Sequence, residues 1–318
     1  MTLHVSRSRM LAGTAAALAL APRPLRAQAL TKVRLIGVHT DDLTPVYWGI
    51  QTGMYQKIGL DIDMIAANSG TAATTAVVAG TYELGKGSVV ASLVAHLRGF
   101  PITIVANGVM WDPKAPTTVA VVAVDSPIKR PRDLSGKLAS AAALNDIVTV
   151  TINNWVDKDG GDSKTIKWVE IPNSAEAEAI ATHRVDVCQL NEPVYTESLE
   201  AGKVRPLGDG LSSSAIAEHF VIAAYFAQKA FAQKNPELMR NFARVTYESA
   251  QYTNSHHAET AQMMSDVTKI PVDVIRKINR APGATSSDPA FLQPVIDIAA
   301  KYGNIPRTFA AKDMYFSA

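Results

Sequence analysis

The stretch from Lys32 to Ile65 limits the possible folds most. Val33, Leu35 and Gly37 alternate with Lys32, Arg34 and Ile36, which predicts a short strand with at least one buried face. Pro45 suits the first turn of a following helix, where its missing N–H would have no partner, and Tyr47, Ile50 and Met54 recur at helical spacing. Gly53 weakens that helix and Gly59 ends it; Leu60, Ile62 and Met64 then alternate as a second strand. The result is a β-α-β unit, the building block of α/β folds. Between its first strand and its helix lies HTDDLT, residues 39–44, dense in polar side chains at the carboxyl end of a strand. Open α/β sheets bind ligands there, so this is a candidate binding loop.

At 318 residues the chain has room for two ordinary domains. Residues 1–29 read as a secretory signal. Arg7 and Arg9 precede an apolar, alanine-rich run from Met10 to Ala21 that is too short to span a bilayer, and Ala27-Gln28-Ala29 has the small-x-small form of a cleavage site. Removing the signal takes away four arginines and no acids, leaving 27 Lys+Arg against 29 Asp+Glu, so a formal charge of +2 becomes about −2. The basicity thus belongs to the signal, and no Lys/Arg run remains to engage nucleic acid or an anionic membrane. Cys188 is the single cysteine, which excludes an internal disulfide, a cysteine-based zinc cluster and a lipid-modified N-terminus. The expected product is an exported, freely diffusing periplasmic protein, monomeric, with no cofactor and no metal.

Further along, Asn68, Ser69 or Thr71 can cap a helix through Ala73, Val77 and Val78 that ends at Gly80. Tyr82 and Leu84 predict a brief strand, the small residues Gly85 to Ser88 a tight loop, and Val89 the start of another helix. Residues 101–106 form a buried strand, 107–116 a loop containing Trp111, and 117–124 a longer strand. The segments at 76–89 and 180–194 share one layout of helix end, turn, short strand and polar loop, in keeping with two α/β lobes of similar build. From Asn235-Pro236-Glu237 onward the pattern is helical.

These residues resemble a family. The order TP-x-Y-x-G-x-x-x-G-M-Y-x-K-x-G-L-D, NSGT with AG-x-Y-E-L, DSPIKRPRDLSGK, RVDVCQLNEP and KNPELMRNF is similar to the periplasmic solute-binding proteins of ABC importers in the sulfonate, nitrate and thiamine-precursor group. The resemblance implies a type II periplasmic-binding-protein fold: two α/β lobes with a ligand cleft between them and the C-terminal helices on the first lobe. It places lobe 1 at 30–118 and 218–318, with lobe 2 inserted at 119–217, and it implies a small-molecule solute and an ABC permease as partners.

Under that architecture the strand-end loops face the cleft. Ser69, Gly70 and Thr71 offer backbone N–H groups and hydroxyls at a helix start, an arrangement that holds a carboxylate or sulfonate, with plain capping as the competing account. Gly87 and Ser88 are similar, with a tight turn as the alternative. His39, Thr40, Asp41, Asp42 and Thr44 supply donors and acceptors, Tyr47 an aromatic wall or hydroxyl, and a solvated loop is the alternative. Trp111 is a candidate for stacking on a planar ligand or for packing between lobes. Residues 141–146 read AAALND where relatives place Ser, Thr or Gly, which suggests an apolar wall with Asn145 as its polar contact. Asn191 and Glu192 stand at another strand end. With helix starts available and no arginine in these loops, a modest organic anion with an apolar or aromatic body is the favoured solute; a pyrimidine or other neutral heterocycle is the alternative, supported by Asp41, Asp42 and Glu192.

An enzyme is not expected. Ser88 lies in GKGSV, which lacks the G-x-S-x-G elbow, and the seven histidines show no metal or triad spacing. Pyrimidine-forming enzymes of the thiamine pathway resemble this chain in broad fold, but their cysteine-rich motif is absent. Cys188 suits a buried small hydrophobe better than a nucleophile.

Overall fold

The computed structural model describes residue 1, residues 30–144 and residues 146–317, so the signal expected at 1–29, its first residue apart, and the contact expected from Asn145 lie outside the described residues. The opening unit forms as β1 (Thr31–Gly37), α1 (Thr44–Gln51) and β2 (Leu60–Ala66), with β1 and β2 parallel and in register from Thr31↔Leu60 to Gly37↔Ala66. Gly59 closes the intervening turn at φ 79°, a left-handed conformation that glycine adopts without a Cβ penalty. Then come α2 (Gly70–Val78), β3 (Leu84–Ser88), α3 (Val89–Leu97) and β4 (Ile102–Trp111).

The chain next builds β5 (Thr118–Ala123), β6 (Leu138–Ala141), α4 (Ile147–Lys158), β7 (Lys167–Glu170), α5 (Asn173–Ala181), β8 (Cys188–Asn191), α6 (Val194–Glu200) and β9 (Val204–Pro206). It returns as β10 (Phe220–Gln228) and finishes with α7 (Lys229–Lys234), α8 (Pro236–Thr253), α9 (His257–Thr268), α10 (Val272–Ile275) and α11 (Gln293–Lys301). The first lobe carries a five-stranded sheet in the order β2-β1-β3-β10-β4. The second carries β8-β5-β9 and the parallel pair β6-β7, joined by a bridge between Ala139 and Val187.

Both faces of the large sheet are covered, and the alternation along β1 sorts its side chains. Val33 and Leu35 enter a core with Tyr55, Tyr225 and Phe242 under α1 and α8, whereas Ile36 turns to the other face with Ala73, Val77 and Phe226 under α2. Each such fully buried aliphatic side chain contributes about 1.5–3 kcal/mol. Among the described residues no helix is long and apolar enough to cross a membrane.

Two local expectations are corrected. Gly85 to Ser88 is not a tight loop but the body of β3, paired antiparallel with Ala223 to Phe226 of β10. Glycine is required there by neighbours: a Cβ at Gly85 would lie 2.4 Å from the Phe226 ring, and one at Gly87 2.5 Å from the Gly70 carbonyl oxygen. Likewise Asn107 to Trp111 is not loop but the second half of β4, held by β10 on one side and by the Met110 N–H to Pro282 carbonyl (2.9 Å) and Ala284 N–H to Gly108 carbonyl (2.8 Å) hydrogen bonds on the other.

Candidate functional site

The carboxyl ends of β1 and β3 and the starts of α2 and α3 meet α4, α5 and β8 of the second lobe around a cavity of about 140 Å³. That volume suits a small molecule. Of the sequence-predicted residues, Thr40, Asp41, Asp42, Gly70, Gly87, Ser88, Asn191 and Glu192 line it.

The paired acids of the HTDDLT loop face different partners. Asp41 is buried and its carboxylate accepts from Arg280 Nε at 2.6 Å, the Ala281 N–H at 2.7 Å and Thr44 Oγ1 at 3.1 Å. Arg280, equally buried, also donates to Thr260 Oγ1 (3.1 Å) and the His257 carbonyl (3.0 Å), so Asp41 fastens the loop to the C-terminal helices. Asp42 accepts from Thr40 Oγ1 at 2.7 Å and forms an ion pair with Lys86.

Lys86 is the most consequential of the residues that the sequence reading missed. It sits in the middle of β3 between two glycines, only 4% exposed, and lines the cavity. Burial pushes its ammonium down to about 7, while the Asp42 carboxylate draws it back toward the charged form.

Two helix starts flank it. Ser69 caps α2 by accepting the Ala72 N–H at 3.1 Å, and the backbones of Gly70 and Gly87 touch so closely that either would clash if it carried a side chain. Ser88 precedes α3 without capping it, and its buried Oγ reaches only the Asp146 carboxyl across the cleft among the described residues. The first N–H groups of each helix have no intrahelical acceptor, and the helix dipole is positive at that end.

The second lobe presents a more polar wall than AAALND suggested. Ala142, Ile147 and Val148 line the cavity, but so do Asp146, Asn173 and Gln189. Asp146 caps α4 through the Ile147 N–H at 2.5 Å; burial raises its carboxyl, and Ser88 Oγ across the cleft acts in the opposite sense. Gln189 is buried and donates from Nε2 to Ser212 and Thr151, leaving Oε1 with no partner among the described residues. Glu192, also buried, accepts from Thr196 Oγ1 (3.0 Å) and its N–H (3.2 Å), and burial raises its carboxyl. Asn191 accepts from Thr118 Oγ1 at 2.9 Å.

Six predicted residues lie elsewhere. Trp111 is 1% exposed and stacks toward Phe220 at 6.3 Å in the first-lobe core. Tyr47 borders a surface groove with Ile50 and Met263, its phenol pushed up to about 12 by burial, and His39 meets its ring edge-on at 5.8 Å. Thr71 faces a groove shared with Thr74 and Phe100; Ser69 is occupied as a cap, and Thr44 bonds to Asp41. Of the residues that were missed, Gln189 and Asp146 had polarity as their only sequence signal. Among the described residues no group of His, Cys, Asp and Glu is arranged to hold a metal ion.

A model of the NMT1/THI5-like family matches residues 40–260, more than half of the chain. No curated protein matches the sequence. Among solved structures, the periplasmic aliphatic sulphonate binding protein SsuA from Escherichia coli aligns at 18% identity over 90% of this chain and 92% of that one, with a TM-score of 0.72. The alkanesulfonate-binding protein SsuA from Xanthomonas axonopodis pv. citri bound to MOPS aligns at 15% identity over 91% and 99%, TM-score 0.74. The periplasmic nitrate-binding protein NrtA from Synechocystis PCC 6803 aligns at 14% identity over 89% and 84%, TM-score 0.73. At such identities the likeness is one of fold: the two α/β lobes of periplasmic binding proteins.

Proposed function

The chain belongs to the NMT1/THI5-like family, and on that premise we propose that it is the exported solute-binding component of an ABC importer, which captures a small organic anion between its lobes and delivers it to a permease. The division into 30–118 with 218–318 and an inserted 119–217 is part of this proposal, as is cleavage of the signal near Ala29. The observation that carries the reading is Lys86, a buried cation on the cleft floor between the starts of α2 and α3. A lysine in that position costs desolvation energy, and an anion that brings a second negative charge to it offsets that cost.

Closure follows from the same geometry. Lys86, Gly70 and Ser88 belong to the first lobe and Asp146, Gln189 and Glu192 to the second, so a solute touching both sets favours the closed arrangement by its differential affinity. Binding rather than turnover fits the chemistry present, since Cys188 is buried with its thiol pushed up and lies outside the cavity lining. The sulfonate and nitrate solutes of the structural neighbours support an anion here too.

A thermal-shift screen of the mature protein over alkanesulfonates, nitrate, aromatic carboxylates and pyrimidines tests the reading. Stabilisation by anions that is lost in Lys86→Met supports it. Stabilisation by pyrimidines alone, or turnover of any of them, would overturn it.

A further inference from the structure

The charges around the cavity do not balance for a simple anion. Asp42 is paired with Lys86 and Asp41 with Arg280, so each cation near the cleft already has a carboxylate. Asp146 and Glu192 also line the cavity, on the second lobe, and neither has a cationic partner among the described residues. A plain monoanion would place a further negative charge beside carboxylates that have none to answer them.

Two polar groups sharpen the point. Ser88, 8% exposed, turns its hydroxyl toward the Asp146 carboxyl across the cleft, with no other partner among the described residues. Gln189, 2% exposed, supplies a carbonyl oxygen without a partner on the side of Asp146. A hydroxyl can donate or accept; an amide oxygen only accepts. The first-lobe wall therefore offers the Lys86 ammonium and the helix starts beside the paired carboxylates of Asp41 and Asp42, and the second-lobe wall offers the Gln189 acceptor and two carboxyl groups that no cation answers.

Building on the anion reading, we propose that the solute is amphoteric: its anionic group docks on Lys86 and the starts of α2 and α3, and an N–H-bearing or protonated nitrogen faces Asp146, Glu192 and Gln189 Oε1. Such a molecule completes both walls at once, and neither end alone does. It also makes the interlobe contact ionic on each side, with charge-assisted hydrogen bonds formed only when the lobes meet around it.

Matched probes test this by calorimetry on the mature protein: propionate against β-alanine, butyrate against 4-aminobutyrate, ethanesulfonate against 2-aminoethanesulfonate, and benzoate against 4-(aminomethyl)benzoate. At least one amino member is expected to bind about tenfold or more tighter than its plain partner, the effect of one charge-assisted contact. Asp146→Asn, which keeps the helix cap, and Glu192→Gln are each checked for a wild-type-like melting profile. In at least one of them the preference is expected to fall to within about threefold. Plain anions binding as tightly as their amino partners in the wild type, or a preference unchanged in both variants, overturns this inference and leaves the anion reading standing. Failure of every probe of both kinds overturns the two together.

Discussion

Replacing Asp41 by Asn keeps the shape of the side chain and removes its charge. In the wild type the carboxylate accepts from Arg280 Nε (2.6 Å), the Ala281 N–H (2.7 Å) and Thr44 Oγ1 (3.1 Å), and the two charged residues are 4% and 6% exposed. In the variant Arg280 keeps Thr44 Oγ1, Thr260 Oγ1 and the His257 carbonyl, but no counter-ion remains. An uncompensated buried guanidinium costs about 3–5 kcal/mol, and the three surviving acceptors place the expectation near the lower end, about 3 kcal/mol. For lobes of this size that is a fall in melting temperature of about 6–12 °C. Urea unfolding followed by circular dichroism for Asp41→Asn, Arg280→Met and the double variant measures it. The double variant should lose less than the sum of the singles by at least about 2 kcal/mol, because neither charge is then left alone. Solute affinity should change by less than about threefold, since the Asp41 oxygens are already engaged. Additive losses, or an Asp41→Asn melting temperature within about 2 °C of the wild type, would show that Asp41 does not fasten the loop to the C-terminal helices.

Lys86→Met should weaken anion binding at least about tenfold with little loss of fold, as methionine fills a similar volume; calorimetry that finds affinity unchanged would remove Lys86 from the site. Because the folded-state ammonium titrates near 7 and the unfolded one near 10.5, the unfolded chain binds more protons between those values. Stability of the ligand-free protein should therefore rise with pH across that window, while anion affinity falls as the ammonium is lost, and pH-dependent melting with and without solute reads both slopes. Gly87→Ala sets a Cβ 2.5 Å from the Gly70 carbonyl oxygen, so α2 must shift; a loss of about 1–3 kcal/mol in urea unfolding, together with weaker solute binding, is expected. Glu176 is buried against Ser140 with its carboxyl raised to about 8, so its contribution is present at low pH and lost as pH rises through about 8. Glu176→Gln, which imitates the protonated form, should abolish that loss between about pH 4.5 and 8, and thermal melts showing the same loss in both proteins would refute it.

What the sequence revealed was what neighbouring residues decide among themselves. The period-2 strands, the start of the helix at Pro45 and the Ser69 cap are local patterns that fall within a few residues of their expected places, whereas that helix stops at Gln51 and Gly59 closes a separate short turn instead of ending it. The misreadings share a distant cause. Gly85-Lys86-Gly87-Ser88 looked like a loop because glycine weakens strands, but Phe226 and Gly70, far away in the chain, require those glycines. That error concealed Lys86, whose chemistry comes from burial rather than from its spacing. Asn107-Gly108 carries a turn signature that β10 and the segment around Pro282 override. Asp41 and Asp42 are indistinguishable by type, and only the partners supplied by Arg280 and Lys86 separate an anchor from a cleft residue.

The placement of β10 sets an order of events during synthesis. This strand, made only after residue 219, runs antiparallel between β3 and β4, both complete by residue 111. A nascent chain that ends anywhere before β10 has two strand edges with no neighbour, so the first lobe cannot complete its sheet while the second is still being made. Closing that gap requires a contact spanning more than a hundred residues, which is slow for reasons of chain entropy. A polypeptide wired this way stays unfinished, and hence still threadable, until most of it has been translated.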